Sequence, residues 1–208
     1  MMTTADANTI RRALRTDLCD AAADAALRLG ERADREGLAD VAYATFDSPL
    51  GTGVVAATGR GLVRVALPNE RVDDVVARLA GDLSPRVFEL PARLDRERRE
   101  LDEYFAGRRQ RFDVELDWRL VPAGFYRRVL RATARRLPFG LTASYGEVAA
   151  WAGNPRAHRA AGTALGRNPL PLVIPCHRVL RAGGEIGNYG GGPEMKEFLL
   201  RLEGAIGD

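Results

Sequence analysis

The sequence predicts an α+β protein: a small N-terminal antiparallel sheet with helices, then a mainly helical half carrying a helix-turn-helix. Three observations predict it. Apolar residues alternate with a period of two in short runs between Val41 and Leu116. Gly and Pro punctuate those runs at turn positions. Beyond residues 120–124 the alternation gives way to the i, i+3, i+4 spacing of helices.

The elements follow in order. Residues 1–38 read as a polar, Ala-rich helix within an N-terminal extension that ends at residue 40. Leu14, Leu18, Ala21, Ala25, Leu29 and Ala33 share one of its faces, and Gly37 closes it. Residues 41–46 read as a strand, followed by the turn Asp47-Ser48-Pro49-Leu50-Gly51. Residues 53–58 and 62–67 are two more strands around Gly59-Arg60-Gly61, a hairpin signal. Residues 70–80 and 94–106 are amphipathic helices, the second stopped by Gly107. Residues 112–116 alternate like an edge strand. This N-terminal α/β domain covers 41–119, and nothing in it clusters catalytic residue types.

Residues 120–124 are the linker into a second domain, 120–208. A helix over 125–137 puts Phe125, Val129, Leu130, Ala134 and Leu137 on one face. Ser144 and Glu147 fit a capping box, so a helix starts there, runs to Ala152 and ends at Gly153. Asn154 as N-cap and Pro155 at the first position start the next helix, which runs to Leu165. Two helices on a tight turn form the helix-turn-helix pattern. Arg156, His158 and Arg159 sit near the end of the second helix that contacts DNA in such motifs.

Composition narrows the function classes. Hydrophobic residues at 46% and charged residues at 28% suit a globular protein with a real core. No apolar run is long enough for a membrane span, and no signal-peptide pattern opens the chain, so the expectation is a cytoplasmic protein. Cys19 and Cys176 with His158 and His177 give no metal-ligand spacing, so no metal is expected. The net charge of +3 is unevenly placed. Residues 123–168 hold eight Arg against Glu147 alone, net +7, while residues 1–122 are net −3 and 169–208 net −1. Concentrated Arg is the footprint of a phosphate-contacting surface, although a solvated Arg-rich face would look the same.

The chemistry points to the apolar, proline-rich run 168–175, which ends in Cys176-His177-Arg178. A thiol is a strong nucleophile only as thiolate, and an imidazole, a cation or a helix start favours ionisation. His177 and Arg178 stand next in the chain to supply the first two. His177 then needs an acid to orient it, and Glu203 and Glu185 are the candidates. A lone Cys beside an apolar run is also a common packing residue. Residues 181–192 hold six glycines without the Gly-Lys-Ser/Thr ending of a phosphate loop, which suits a wall whose amides bond a flat substrate. Residues 193–202 close as a helix with Phe198, Leu199 and Leu202 as its stripe.

From about Phe125 to Glu203 the chain resembles the O6-alkylguanine-DNA alkyltransferases. The resemblance runs through Ser144-Tyr145, Ala152-Gly153-Asn154-Pro155, Arg159-Ala160, Asn168-Pro169, Pro175-Cys176-His177-Arg178-Val179, Gly187-Asn188-Tyr189 and Lys196-Glu197. It implies a ribonuclease-H-like N-terminal domain and a winged helix-turn-helix behind it. It implies irreversible, single-turnover transfer of an alkyl group from O6-alkylguanine, and from O4-alkylthymine, to Cys176. No cofactor is implied. The implied partner is double-stranded DNA, entered through the minor groove with the damaged base flipped out, by a monomer. The roles it implies are residue by residue. Cys176 accepts the alkyl group, His177 acts through a water as base, Glu203 orients His177, and Asn168 braces the loop. Tyr145 helps rotate and bond the base, and Arg159 fills the vacated stack. Arg156, Ser144 and Arg167 join them on the DNA face. Val179, Tyr189, Gly190, Leu165 and Ile186 surround the base. Gly190 stands where many relatives have Ser, Leu141 where an acid is frequent, and His158 where a small residue is usual. The alternative within reach is a non-enzymatic binder of the alkyltransferase-like type, which has Trp where this chain has Cys176.

Overall fold

The computed structural model describes residues 21–207. Leu14, Leu18 and Cys19, which entered the reading above, lie outside them. Helix α1 covers 21–35, and Gly37 closes it as expected, with φ +69° and Leu38 N–H donating to Ala33 O at 2.8 Å.

Three strands follow where alternation placed them: β1 (Val41–Ser48), β2 (Gly51–Thr58) and β3 (Gly61–Ala66). They pair antiparallel, with Val41 opposite Thr58 and Val55 opposite Val65. Helix α2 (Val72–Asp82) then crosses over to β4 (Val87–Glu89), which runs parallel to β1. The sheet order is β3-β2-β1-β4, so the sheet is mixed, not purely antiparallel. Strand β4 is three half-buried residues between Pro85 and Pro91, too short to carry a period.

Period-two alternation divides the sheet between two cores. Val41, Val54, Ala56 and Val63 face α2, where Val75 and Leu79 cover them. Ala42, Ala44, Phe46, Val55 and Val65 face the other way, toward α3 (Asp95–Phe105) and the second half of the chain. That second core is continuous from the sheet to Cys176, Val179 and Leu199. Residues 112–116 do not form the expected edge strand. Only Leu116 bridges to Leu62, because Glu100 rather than a strand takes the N–H of Asp113.

Beyond the linker, α4 (Phe125–Arg136) buries Val129, Leu130 and Thr133. Ala134, expected on that face, is exposed; Thr133 replaces it by turning its hydroxyl back to Val129 O at 2.9 Å. A two-residue strand β5 (Ala143–Ser144) leads into α5 (Tyr145–Trp151) through the predicted capping box. Helix α6 (His158–Gly166) begins three residues later than the sequence suggests. Asn154 and Pro155 instead form a turn closed by Ala157 N–H to Asn154 O at 3.0 Å. One turn of 3-10 helix (Cys176–Arg178), strand β6 (Val179–Leu180), paired parallel to β5, and α7 (Pro193–Leu202) complete the chain. Helix α7 buries Met195, Lys196, Leu199 and Leu200, so its inner face is centred away from the expected Phe198 and Leu202.

Candidate active site

Asn168 shapes the approach to the cysteine. Its side-chain oxygen accepts from Leu170 N–H at 3.0 Å, and its Nδ2 donates to Ile174 O at 2.9 Å and to Cys176 Sγ at 3.2 Å. One amide thus spans the loop and touches the sulfur. Between those anchors Leu172 has φ +70°, the one non-glycine residue among those described with left-handed backbone. Such a conformation costs about 1–3 kcal/mol and persists where surroundings force it; here the Leu172 side chain is buried.

Cys176, His177 and Arg178 are all buried. Cys176 is 9% exposed, and that small window opens on a cleft of about 710 Å³ lined also by Tyr145, Arg159, Leu165, Tyr189 and Gly190. A narrower opening of about 310 Å³ reaches the same residue between Arg64 and Glu70 of the sheet half and Arg167 and Asn168 of the other.

Burial pushes the Cys176 thiol up, against the Asn168 hydrogen bond, the charge of Lys196 and the backbone amides at 176 and 177. The expected help from Arg178 goes elsewhere. Its Nε donates to Glu203 Oε2 at 2.6 Å, and its terminal nitrogens donate to Glu203 Oε1 at 2.9 Å and Leu137 O at 2.7 Å. The cation whose charge acts on the sulfur is Lys196, which sequence reasoning passed over as part of a motif. It is fully buried, its Nζ donates to Val179 O at 2.5 Å, and burial pulls its ammonium down to about 8.

His177 is fully buried, with Nε2 2.8 Å from Glu203 Oε1. Burial also disfavours an ionised Glu203, but hydrogen bonds and charge from His177 and Arg178 prevail and hold it down to about 2. An ionised carboxylate only accepts, so Nε2 carries the proton and donates. Burial holds the imidazole below its ordinary value, which favours the neutral ring. Its Nδ1, which then bears a free lone pair, is buried without a protein partner. Glu185, the other acid considered, is exposed and lies 4.0 Å from Arg181. A further residue was missed altogether: Tyr104 of α3 donates its hydroxyl to Glu203 Oε1 at 2.6 Å.

The glycine-rich segment forms one wall. A Cβ on Gly187 would lie 2.9 Å from the Tyr145 hydroxyl, so only glycine lets the wall rest on that ring. The sheet half holds both sides of the site: Asn69 donates to Gly190 O at 2.9 Å, and Val65 N–H donates to Pro169 O at 2.9 Å. Val179 and Ile186 stand outside the lining of the cleft. Val179 donates its N–H to Cys176 O while its carbonyl takes Lys196. The Tyr189 hydroxyl is buried without a protein partner, and the Tyr189 ring meets His177 edge-on at 6.2 Å.

Six of the eight Arg in the Arg-rich segment fall into two groups; Arg135 and Arg136 are exposed on the last turn of α4 and join neither. Arg127 bonds the carbonyls of Trp118 and Val121, Arg128 bonds that of Ala152, and Arg131 lies over the Trp118 ring at 5.0 Å. Those three cations engage the protein itself, with Arg128 and Arg131 still exposed. Arg156, Arg159 and Arg167 are exposed; Arg159 and His158 line the main cleft and Arg167 the narrow one. Ser144 is half-buried, and its hydroxyl is engaged with Glu147 in the cap.

Residues 124–205 match the family model "6-O-methylguanine DNA methyltransferase, DNA binding domain", and residues 41–118 match "6-O-methylguanine DNA methyltransferase, ribonuclease-like domain". The methylated-DNA–protein-cysteine methyltransferase of Mycolicibacterium paratuberculosis is 39% identical over 163 residues, covering 78% of this chain and 92% of the relative. That of Methanosarcina acetivorans is 37% identical over 165 residues, covering 78% and 98%. The crystal structure of Mycobacterium tuberculosis OGT in complex with DNA superposes with a TM-score of 0.68 at 36% identity, covering 79% of this chain and 93% of the other.

Proposed function

The chain belongs to the methylated-DNA–protein-cysteine methyltransferase family, and from that premise we propose how its own residues carry an alkyl group from O6 of guanine in DNA to Cys176. One observation carries the reading: Cys176 lies in the wall of a 710 Å³ cleft that Tyr145 and Arg159 also line. An O6-alkyl carbon inside a duplex is out of a cysteine's reach, so the nucleotide must rotate out, at a cost of a few kcal/mol. Arg159, exposed on the first turn of α6, enters the vacated stack from the minor groove. Arg156 and Arg167 contact the neighbouring phosphates.

In the cleft, the Cys176 proton passes through a water to His177 Nδ1. Glu203 stabilises the imidazolium that forms. The Asn168 amide and the Lys196 charge favour the thiolate. The sulfur attacks the alkyl carbon in line, an S–C bond forms, the C–O6 bond breaks, and its electron pair stays on guanine. Burial raises the Tyr145 phenol, so it remains a donor to the leaving base. The guanine anion then takes up one proton, which the His177 imidazolium returns through water, so the proton that left Cys176 ends on the base. The alkyl donor is the damaged DNA, so the step balances without another reactant. Because water does not hydrolyse a thioether, each protein acts once. One copy carries every residue used, so a monomer suffices. No helix among the described residues is long and apolar enough to cross a membrane, and we place the reaction with the genome in the cytoplasm. The division into an extension (1–40), a sheet domain (41–119) and a reactive domain (120–208) is part of the same proposal.

The test is a single-turnover incubation with duplex DNA bearing one O6-methylguanine. The peptide containing Cys176 should gain the mass of one methylene, in one-to-one proportion to lesion lost. Tight binding with unchanged protein mass would instead identify a damage binder of the alkyltransferase-like type. Arg159→Ala gives a second check. Loss of the stacking side chain should slow repair of duplex about tenfold, as expected if about 1.4 kcal/mol of the flipping cost is no longer offset. Reaction with free O6-benzylguanine should barely change. Equal losses on both substrates would remove Arg159 from the flipping step.

A further inference from the structure

We propose that Tyr104, in the sheet half of the chain, is a positioning residue for alkyl transfer: its hydroxyl fixes Glu203 Oε1 and thereby sets how strongly His177 holds a proton. The inference rests on the reading of His177 as the base. Tyr104 and Glu203 lie 99 residues apart, on α3 and just past α7, yet their 2.6 Å hydrogen bond is buried at both ends. The Tyr104 ring is fully buried in an aromatic cage, with ring centroids of Phe105 and Phe112 at 5.3 Å and of Phe139 at 6.2 Å. That cage leaves the ring no alternative position.

The two carboxylate oxygens are unequally supplied. Oε1 accepts from Tyr104, His177 Nε2 and Arg178, at 2.6, 2.8 and 2.9 Å. Oε2 accepts from Arg178 Nε at 2.6 Å and from Gly140 N–H at 3.4 Å. The oxygen that orients the base is therefore the one with the extra donor. A neutral O–H disperses the negative charge on Oε1 without adding a positive one. Removing it concentrates that charge opposite Nε2–H and favours the imidazolium over the neutral ring. A base that is already protonated cannot accept from Cys176. The other ionisable groups around the pair are Arg178 beside His177, Lys196 from α7, Cys176, and the phenol of Tyr189. Tyr104→Phe leaves each of these side chains in place; of them Arg178 and Tyr189 also interact with the Tyr104 hydroxyl.

The experiment measures the single-turnover rate on O6-methylguanine duplex from acid to alkaline pH, for the full chain and variants. Wild type should show an acid limb that His177→Gln removes; without that limb the reading of His177 fails. Tyr104→Phe keeps the ring and the cage. Its acid limb should move up by about one pH unit, with a several-fold loss near neutrality that vanishes in alkali. Phe112→Leu loosens the cage but keeps the hydroxyl, so it should lower stability and leave the limb in place. An unshifted limb in Tyr104→Phe, with or without a uniform fall in rate, would overturn the inference. So would an equal shift in Phe112→Leu.

Discussion

Cys176→Ser is expected to abolish methyl uptake while duplex affinity changes by less than about threefold, well under 1 kcal/mol. An alcohol holds its proton far more tightly than a thiol, and a neutral His177 is too weak a base to remove it. Asn168 and Lys196 bias a thiol that burial has raised, but they cannot close the much larger gap to an alkoxide. Binding persists because Cys176 is 9% exposed and the proposed phosphate contacts belong to other side chains, the exposed Arg156 and Arg167. Mass spectrometry after incubation with damaged duplex, beside a binding titration on the same sample, reads both halves of the result. Retained uptake would mean that another residue accepts the group.

The second large effect concerns folding. Glu203→Ala should cost about 3–5 kcal/mol, since removing one partner strands the other charge in a buried site. Arg178 would keep only Leu137 O, and His177 and Tyr104 would lose their shared acceptor. The midpoint of urea unfolding should fall accordingly, and transfer with it; a change under about 1 kcal/mol would show that the network contributes little to stability. The pH dependence follows with a definite sign. Glu203 is held below its ordinary value, so its contribution is full above about 4.5 and is lost as pH falls through about 2. His177 is also held below its ordinary value. The unfolded chain therefore takes up a proton first, and stability begins to decline below about 6.5. Both shifts make the native protein acid-labile, and Glu203→Ala should flatten the lower part of that decline.

Much of this was legible in the residues. Strands β1 to β3 betrayed themselves by alternation, because each is buried on alternate faces against two different cores. The Ser144–Glu147 box is local chemistry and needs no tertiary context. Other features depend on what the chain meets far away. Strand β4 exists only because β1 is there to pair with it. Asn154-Pro155 has the letters of a helix start, but the turn onto Ala157 takes them first. Arg178 and Lys196 look alike in a sequence. Only the fold assigns the first to a carboxylate and lets the charge of the second act on the sulfur. Tyr104 was invisible for the same reason: its partner lies 99 residues ahead. Charge counting treats the eight Arg of 123–168 alike, whereas Arg127, Arg128 and Arg131 also engage carbonyls and a ring of the protein itself.

The apolar core that runs without interruption from the sheet into the reactive half has a practical consequence for anyone trimming the protein. A truncated chain starting at the linker would keep the nucleophile, the imidazole and the Arg side chains of α6. It would also present to water the hydrocarbon that α3 and β1 now cover, and it would forfeit the hydrogen bonds from Asn69 and Val65 to the loops at Gly190 and Pro169. Such a fragment is a poor minimal enzyme, and the sheet is better regarded as half of the active-site housing than as a detachable accessory.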